Sequence, residues 1–373
     1  MKGHITDKKK KSEKKGAVKR IFLGALLIGI GALILGGCGS STEETQSEQE
    51  KTASAKKEDN KIQIGLTVDS FVIERWIRDR DAFVATAREL GAEVNVQDAG
   101  ADAKEQISQI EYFISKQVDV IVVIARDCGA LSDVIQKAQN AGIPVISYDR
   151  MINNSNTNLY ISFDNRKVGE IMAQALIDAI PQGGDIFMIQ GSSTDNNVHM
   201  LKKGFDDVLK NSDLNVVYEA NCEGWMAELA EGYMEEALEK YPHVKGIMCG
   251  NDDIASQVVE VLAENQMAGD VIVVGQDGDL AACQRIVEGT QYMTAFKPIE
   301  DLAREAAKYA VEIGSGKDPS ELEGVTETVN DGTYDVPSRI LEPIAVTKEN
   351  IDKVIIDGGF HRRDEVYLNA DYS

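Results

Sequence analysis

With 373 residues, 43% of them hydrophobic, the chain is long enough for one large domain or two ordinary ones, each with its own core. The formal net charge is −23, yet the first twenty residues, MKGHITDKKKKSEKKGAVKR, hold nine Lys and Arg against two Asp and Glu, a balance of +7 that leaves −30 on the remainder. So acidic a body repels phosphate backbones and argues against nucleic acid as a partner; solubility is the ordinary reason for such a charge.

The basic start runs into IFLGALLIGIGALILGGCGS. Its fifteen apolar or small residues, 21 to 35, have the size of a signal-peptide h-region and are somewhat short for a spanning helix. The tetrapeptide Leu35-Gly36-Gly37-Cys38 resembles a bacterial lipobox, which implies a signal peptide over residues 1 to 38 and lipidation of Cys38. An uncleaved anchor with an incidental cysteine is the other reading. Both tether the body to the outer face of the cell membrane, stably if Cys38 carries two or more acyl chains. Residues 39 to 60, GSSTEETQSEQEKTASAKKEDN, hold no large apolar side chain and are expected to form a flexible stalk. The remaining cysteines, Cys128, Cys222, Cys249 and Cys283, match neither a zinc pattern nor a redox CxxC pair and are expected as small buried residues.

From Lys61 onward, short β-rich runs alternate with longer segments of helical period: IQIGLTV, then a helix through ERWIRDRDAFVATARELG; AEVNVQD, then AKEQISQIEYFISKQ; VDVIVVI, then ALSDVIQKAQNAG; and IPVISYD. In the first helix Trp76, Phe83, Val84, Ala87 and Leu90 form the apolar stripe, with Arg78, Asp79, Arg80 and Asp81 mostly turned elsewhere and Gly91 as the stop. The rhythm restarts after Asp164 with VGEIMAQALIDAI, GDIFMIQG, HMLKKGFDDVLKN, LNVVYEA, MAELAEGYMEEALEKY, VKGIMCG, IASQVVEVLAENQ and VIVVGQD. Near-continuous apolar strands alternating with helices predict an α/β fold of two doubly wound parallel-sheet lobes in series.

In open parallel sheets ligands sit outside the carboxyl ends of the strands. There the sequence places Glu74, Arg75 and Trp76, then Asp149 and Arg150, Asn196 and Asn197, Trp225, Asn251 and Asp252, Asp277, and Lys297. Charged and amide groups supply directional donors and acceptors for hydroxyls, and an aromatic face suits the apolar face of a sugar ring. Each has an ordinary explanation, a helix cap for Asp149 or Asn196, a turn for Asp277, core for Trp225. Recurrence at seven strand ends favours a common site.

The segments IERWIRDRDAF, ISYDRMINN, YISFDNRKVGE, SSTDNN, EGW, GNDDIAS, GQDGDLAACQRI and GTQYMTAFKPI, in this order and spacing over roughly residues 61 to 360, resemble the D-xylose-binding proteins of bacterial ABC sugar transporters. These form a pentose-type branch of the type I periplasmic-binding-protein superfamily. The resemblance implies that Arg75, Asp149, Arg150, Asn197, Asn251, Asp277 and Lys297 hydrogen-bond a pyranose, with stacking at Trp76 or its neighbourhood and at Trp225; Asn196 stands as the alternative to Asn197. It also implies a hinge of three crossings, expected at Phe163-Asp164-Asn165, Phe296-Lys297-Pro298 and Val329-Asn330-Asp331-Gly332. The amino-terminal lobe then takes residues 61 to 164 and 298 to 329, the carboxy-terminal lobe 165 to 297 and 330 to 345, and a tail of strand and short helix 346 to 373.

The expected ligand is D-xylose or a related monosaccharide, and no cofactor or metal is expected. The expected partner is an ABC permease, with a sensor histidine kinase in the membrane as the alternative. Asp149 with Asp277 as an acid–base pair would be the enzymatic reading, but no nucleophile elbow, HExxH, P-loop or metal cluster accompanies them, so no enzyme is expected.

Overall fold

The computed structural model describes residues 61–370, so Cys38, the apolar run before it and the expected stalk lie outside the described residues. Two sheets organise what is described. The first is built from β1 (Gln63–Val68), β2 (Glu93–Asp98), β3 (Val120–Val123), β4 (Val145–Tyr148), β5 (Leu159–Phe163), β11 (Glu327–Asn330) and β12 (Asp335–Leu341), in the order β11-β12-β5-β4-β3-β1-β2. The second takes β6 (Gly184–Gln190), β7 (Leu214–Asn221), β8 (Gly246–Cys249), β9 (Ile272–Asp277), β10 (Met293–Phe296) and β13 (Ile344–Thr347), in the order β13-β10-β9-β8-β6-β7. All pairings are parallel except β11 with β12 and β10 with β13.

The helices are α1 (Arg75–Glu89), α2 (Ala103–Lys116), α3 (Ser132–Asn140), α4 (Asn165–Ala179), α5 (Asn196–Leu209), α6 (Leu229–Lys240), α7 (Asp252–Glu264), α8 (Leu280–Glu288), α9 (Ile299–Gly314) and α10 (Arg363–Val366). They cover both faces of each sheet, which is why central strands such as VIVV in β3 and GIMC in β8 are apolar throughout and buried at every position. Each fully buried Val or Ile there contributes about 1.5–3 kcal/mol. Short polar side chains start several helices: Asp102, Asp164, Asp195 and Asn251 each accept a hydrogen bond from a first-turn amide. Cys128, Cys222, Cys249 and Cys283 are free and buried in the apolar core, in line with the sequence. Among the described residues no helix is long and apolar enough to cross a membrane.

The chain passes between the two sheets three times, after β5 at Asp164, after β10 at Lys297-Pro298, and after β12 at Glu342-Pro343. The third passage corrects the expectation that placed it at residues 329 to 332 and gave residues 330 to 345 to the carboxy-terminal lobe. β12 pairs in parallel with β5, Ser338 against Tyr160 through Leu341 against Phe163, and so belongs to the first sheet. Asn330-Asp331-Gly332 is instead the turn of the β11–β12 hairpin, where the Asp331 carboxylate accepts from the Thr333 and Tyr334 amides and Gly332 takes φ 105°. A hairpin turn and an interlobe linker share this composition. Residues 344 to 370 complete the second lobe: β13 closes its sheet, and Ile351, Ile355 and Val366 pack on Cys283, Ile286 and Phe296.

The apolar stripe of α1 also differs from expectation at two places. Leu90 is exposed, whereas Asp79 is buried with Arg75, Trp76, Phe83 and Ala87. A buried carboxylate on a core-facing position is there for a partner.

Candidate functional site

Every ligand-contacting residue expected from the sequence lies at a strand end or helix start where the two sheets face each other. Arg75 opens α1; Asp149 and Arg150 follow β4; Asn197 is in the first turn of α5; Trp225 ends a short turn after β7. Asn251 caps α7 after β8, Asp277 ends β9, and Lys297 follows β10. Exposure over the set, with Trp76, runs from 1% at Asn251 to 7% at Asn197 and Trp225, so its charges must be compensated by one another.

The side chains meet across the lobes. Arg75 Nη2 lies 2.9 Å from Asp149 Oδ2 and 3.2 Å from Asp79 Oδ1, while Nη1 is 3.8 Å from Asp277 Oδ1 of the opposite lobe. Lys297 Nζ stands 3.4 Å from the same Asp277 oxygen. Arg150 donates through Nη1 to Asp69 Oδ2 at 2.8 Å and to the Ala125 carbonyl at 2.9 Å, and its Nε is 2.7 Å from Asp195 Oδ2. Asn197 Nδ2 donates to Asp149 Oδ1 at 2.9 Å, whereas Asn196 turns away to the Asn153 side chain. The Arg75 guanidinium sits over the Trp76 ring at 4.3 Å, and Arg150 lies between the rings of Trp76 and Trp225 at 5.4 and 5.9 Å. Glu74 is exposed beside this cluster.

Burial alone would lower the Arg75 pKa, but Asp149, Asp79 and Asp277 hold it well above its ordinary value. Burial opposes ionisation of Asp149, and Arg75, Lys297 and Arg150 overcome it, keeping that carboxyl below the usual range. Asp79 is pushed up to about 6 by burial in spite of Arg75 and the Tyr148 hydroxyl that donates to it. Burial likewise raises Asp195 against the pull of Arg150.

Three of the eight non-glycine residues at positive φ among the described residues lie here. Asp149, Trp225 and Asp277 have φ of 63°, 60° and 104°, in the left-handed region that side-chain-bearing residues avoid at a cost of about 1–3 kcal/mol each. The Trp225 ring is admitted by Gly191, where an added Cβ would lie 2.2 Å from Cη2 of that ring. Asp252, the first residue of α7, accepts from the Gly278 and Asp279 amides at 2.9 and 3.2 Å and from the Thr294 hydroxyl at 2.7 Å, fixing the turn that carries Asp277.

Several buried polar atoms of the cluster have no hydrogen-bond partner: Trp76 Nε1, Asp149 Oδ2, Asn197 Oδ1, Asn251 Nδ2, Gln276 Oε1 and Asp277 Oδ1. Asp149 Oδ2 and Asp277 Oδ1 have ionic neighbours but no aligned donor. Asn251 shows how capping and site roles coexist, since its Oδ1 accepts from the Ile254 amide at 3.0 Å and leaves the Nδ2 donor unpartnered. Among the described residues no group of His, Cys, Asp or Glu side chains could hold a metal ion.

Sequence reasoning passed over Asp69, Asp79, Asp195 and Gln276. Asp69 directly follows β1 and Asp195 directly precedes α5, so attention to the first residue after a strand and to the helix cap would have found both. Asp79 carried no signal, because its helical position reads as one charge among four.

Residues 64–318 match the model of the periplasmic binding protein domain. The D-xylose-binding periplasmic protein of Escherichia coli K12 is 43% identical over 310 residues, covering 82% of this chain and 92% of that protein. The protein of the same description from Haemophilus influenzae is 41% identical over 311 residues, with the same coverage of both chains. An ABC transporter solute-binding protein from Clostridium phytofermentans, solved with β-D-glucose, superposes with a TM-score of 0.74 at 28% identity, covering 82% of this chain and 99% of its own. The chain belongs to the periplasmic binding protein family, extracytoplasmic proteins that capture a solute between two lobes and are not enzymes.

Proposed function

We propose that this protein captures a pyranose, D-xylose foremost, between its two lobes and delivers it to an ABC permease. The unpartnered buried atoms carry the reading: acceptors on Asp149, Asn197 and Asp277 and a donor on Asn251, drawn from both lobes, form a lining for a neutral ligand rich in hydroxyls. Hydroxyl groups donate and accept at once, so one pyranose can satisfy this mixed set. Arg75 and Lys297 strengthen such bonds by their charge, and the Trp76 and Trp225 rings offer faces for the apolar side of the sugar. An analogue with one hydroxyl misplaced leaves a buried atom unpaired and loses affinity steeply. Two relatives above 40% identity named for D-xylose support the choice of sugar.

We propose further, from the lipobox-like Leu35-Gly36-Gly37-Cys38, a lipid at Cys38 that holds the body at the outer face of the membrane. Mass analysis of the mature amino terminus tests this: a lipidated Cys38 supports delivery to a permease, and an intact Met1 supports a retained anchor and docking on a sensor kinase. The ligand is tested by isothermal titration with D-xylose, D-ribose, L-arabinose and D-glucose. Tight binding of D-xylose alone is expected; equal binding of all four, or of none, overturns the assignment.

A further inference from the structure

The polar groups of the cleft fall into two sets, one with unpartnered atoms and one fully bonded within the protein. Asp195 belongs to the second. It is 2% exposed, its Oδ1 accepts from the Asn197 amide at 2.9 Å, and its Oδ2 accepts from Trp225 Nε1 at 3.2 Å while lying 2.7 Å from Arg150 Nε. Asp195 and Trp225 belong to the second lobe and Arg150 to the first. The carboxylate therefore ties the lobes together with no oxygen left over for a sugar. Other cross-lobe contacts without ligand atoms lie beside it: Asn196 with Asn153, the Cys128 amide to the Thr194 carbonyl at 3.4 Å, and Arg126 Nη1 to the Gly224 carbonyl at 3.4 Å.

We propose that Asp195 is an interlobe latch, a positioning residue that closes the cleft through Arg150 independently of the sugar and so sets how much of the sugar-free protein is already closed. Asp69 pairs with that guanidinium at 2.8 Å from within the same lobe, so parting the lobes does not separate the two. Opening thus costs one ion pair without stranding a bare buried charge, and the latch stays reversible. A ligand binding only the closed form gains apparent affinity in proportion to the closed fraction, so the latch tunes affinity without touching the sugar. The proposal rests on the sugar-binding reading only for its affinity readout.

The chain provides its own reporter. It has two tryptophans, Trp76 in one lobe and Trp225 in the other, and both are buried where the lobes meet. Acrylamide quenching of their fluorescence in the full-length protein in detergent reads cleft opening directly. The variant is Asp195→Asn, since Asn caps α5 as well as Asp and keeps the helix start while removing the charge. A Trp225→Phe background leaves Trp76, which Asp195 does not touch, as the sole reporter.

Without sugar, Asp195→Asn is expected to make Trp76 at least twice as quenchable, while saturating D-xylose restores full protection with an affinity roughly 10-fold weaker. Unchanged sugar-free quenching overturns the latch, whether or not affinity falls. Failure of D-xylose to protect either protein overturns the ligand reading, and the sugar-free difference between the two proteins then still decides for or against the latch.

Discussion

Arg75 and Arg150 are the same side chain in nearly the same setting, 3% and 2% exposed, each over the Trp76 ring and each between carboxylates, yet they are bonded differently. Arg150 gives Nε and Nη1 to Asp195, Asp69 and the Ala125 carbonyl at 2.7–2.9 Å, leaving only Nη2 for a ligand. Arg75 is ringed more loosely. Asp277 stands 3.8 Å away, and the facing Asp149 and Asp277 oxygens lack aligned donors. On the proposed reading one guanidinium holds the lobes together and the other holds carboxylates ready for hydroxyls. A buried ion pair is thus informative through its residual valences more than its presence.

The largest effect should come from the loose side. Asp277→Ala and Asp149→Ala each remove an acceptor and an anion that compensates Arg75, and each should weaken D-xylose by about 1,000-fold or more. Both residues sit at positive φ and neither supports the apolar core, so thermal denaturation should stay cooperative. Titration calorimetry with either variant binding normally would remove the contrast between the two arginines.

Next is Asp252→Asn, behind the site. Asp252 is 1% exposed, its Oδ2 takes the Gly278 and Asp279 amides and its Oδ1 takes the Gln291 side-chain amide, so an Asn in its place sets its own donor against either those backbone amides or Gln291 Nε2. Gly275 leaves it no slack, since a Cβ there would lie 2.2 Å from Asp252 Oδ1. Affinity should fall about 10-fold for every sugar alike, because the Asp277 turn shifts without altering which hydroxyls are read. A change confined to one sugar in a competition series would place Asp252 in direct contact instead. Trp225→Ala should also weaken all sugars, by roughly 10-fold, through the lost ring face.

Much of this arrangement was legible in the sequence because parallel sheets write two separate signals: buried apolar runs, and polar residues where each run stops. Asp149, Arg150, Asn251, Asp277 and Lys297 lie at such stops and come together at one cleft. What was not legible depends on pairing partners. Whether β12 lies beside β5 or in the other sheet is decided by hydrogen bonds, and Asn330-Asp331-Gly332 reads alike as hairpin turn or crossing. Asp195 stands at a helix cap that the sequence reading passed over, and only its distance to Arg150 shows that it spans the lobes. Asp79 was hidden by its helix, where burial is fixed by what packs opposite.

The smallest effect is electrostatic and tests the outskirts of the loose side. Asp253, in the first turn of α7, is pushed up to about 6 by burial, with Asp277 and Glu74 adding repulsion against Arg285. Its carboxyl in the folded protein therefore holds a proton more tightly than in the unfolded chain, where the value is near 3.8. Stability from this group is fully present below about pH 4 and is lost as pH rises through 6, so at neutral pH the ionised form is a liability. Asp253→Asn should raise the melting temperature by ~2 °C at pH 7.5 and leave it unchanged at pH 4. Melting curves across that range decide the matter: a gain that persists at pH 4 would point to packing or helix propensity, and a loss at pH 7.5 would show that favourable charge at the start of α7 outweighs the burial and repulsion around Asp277.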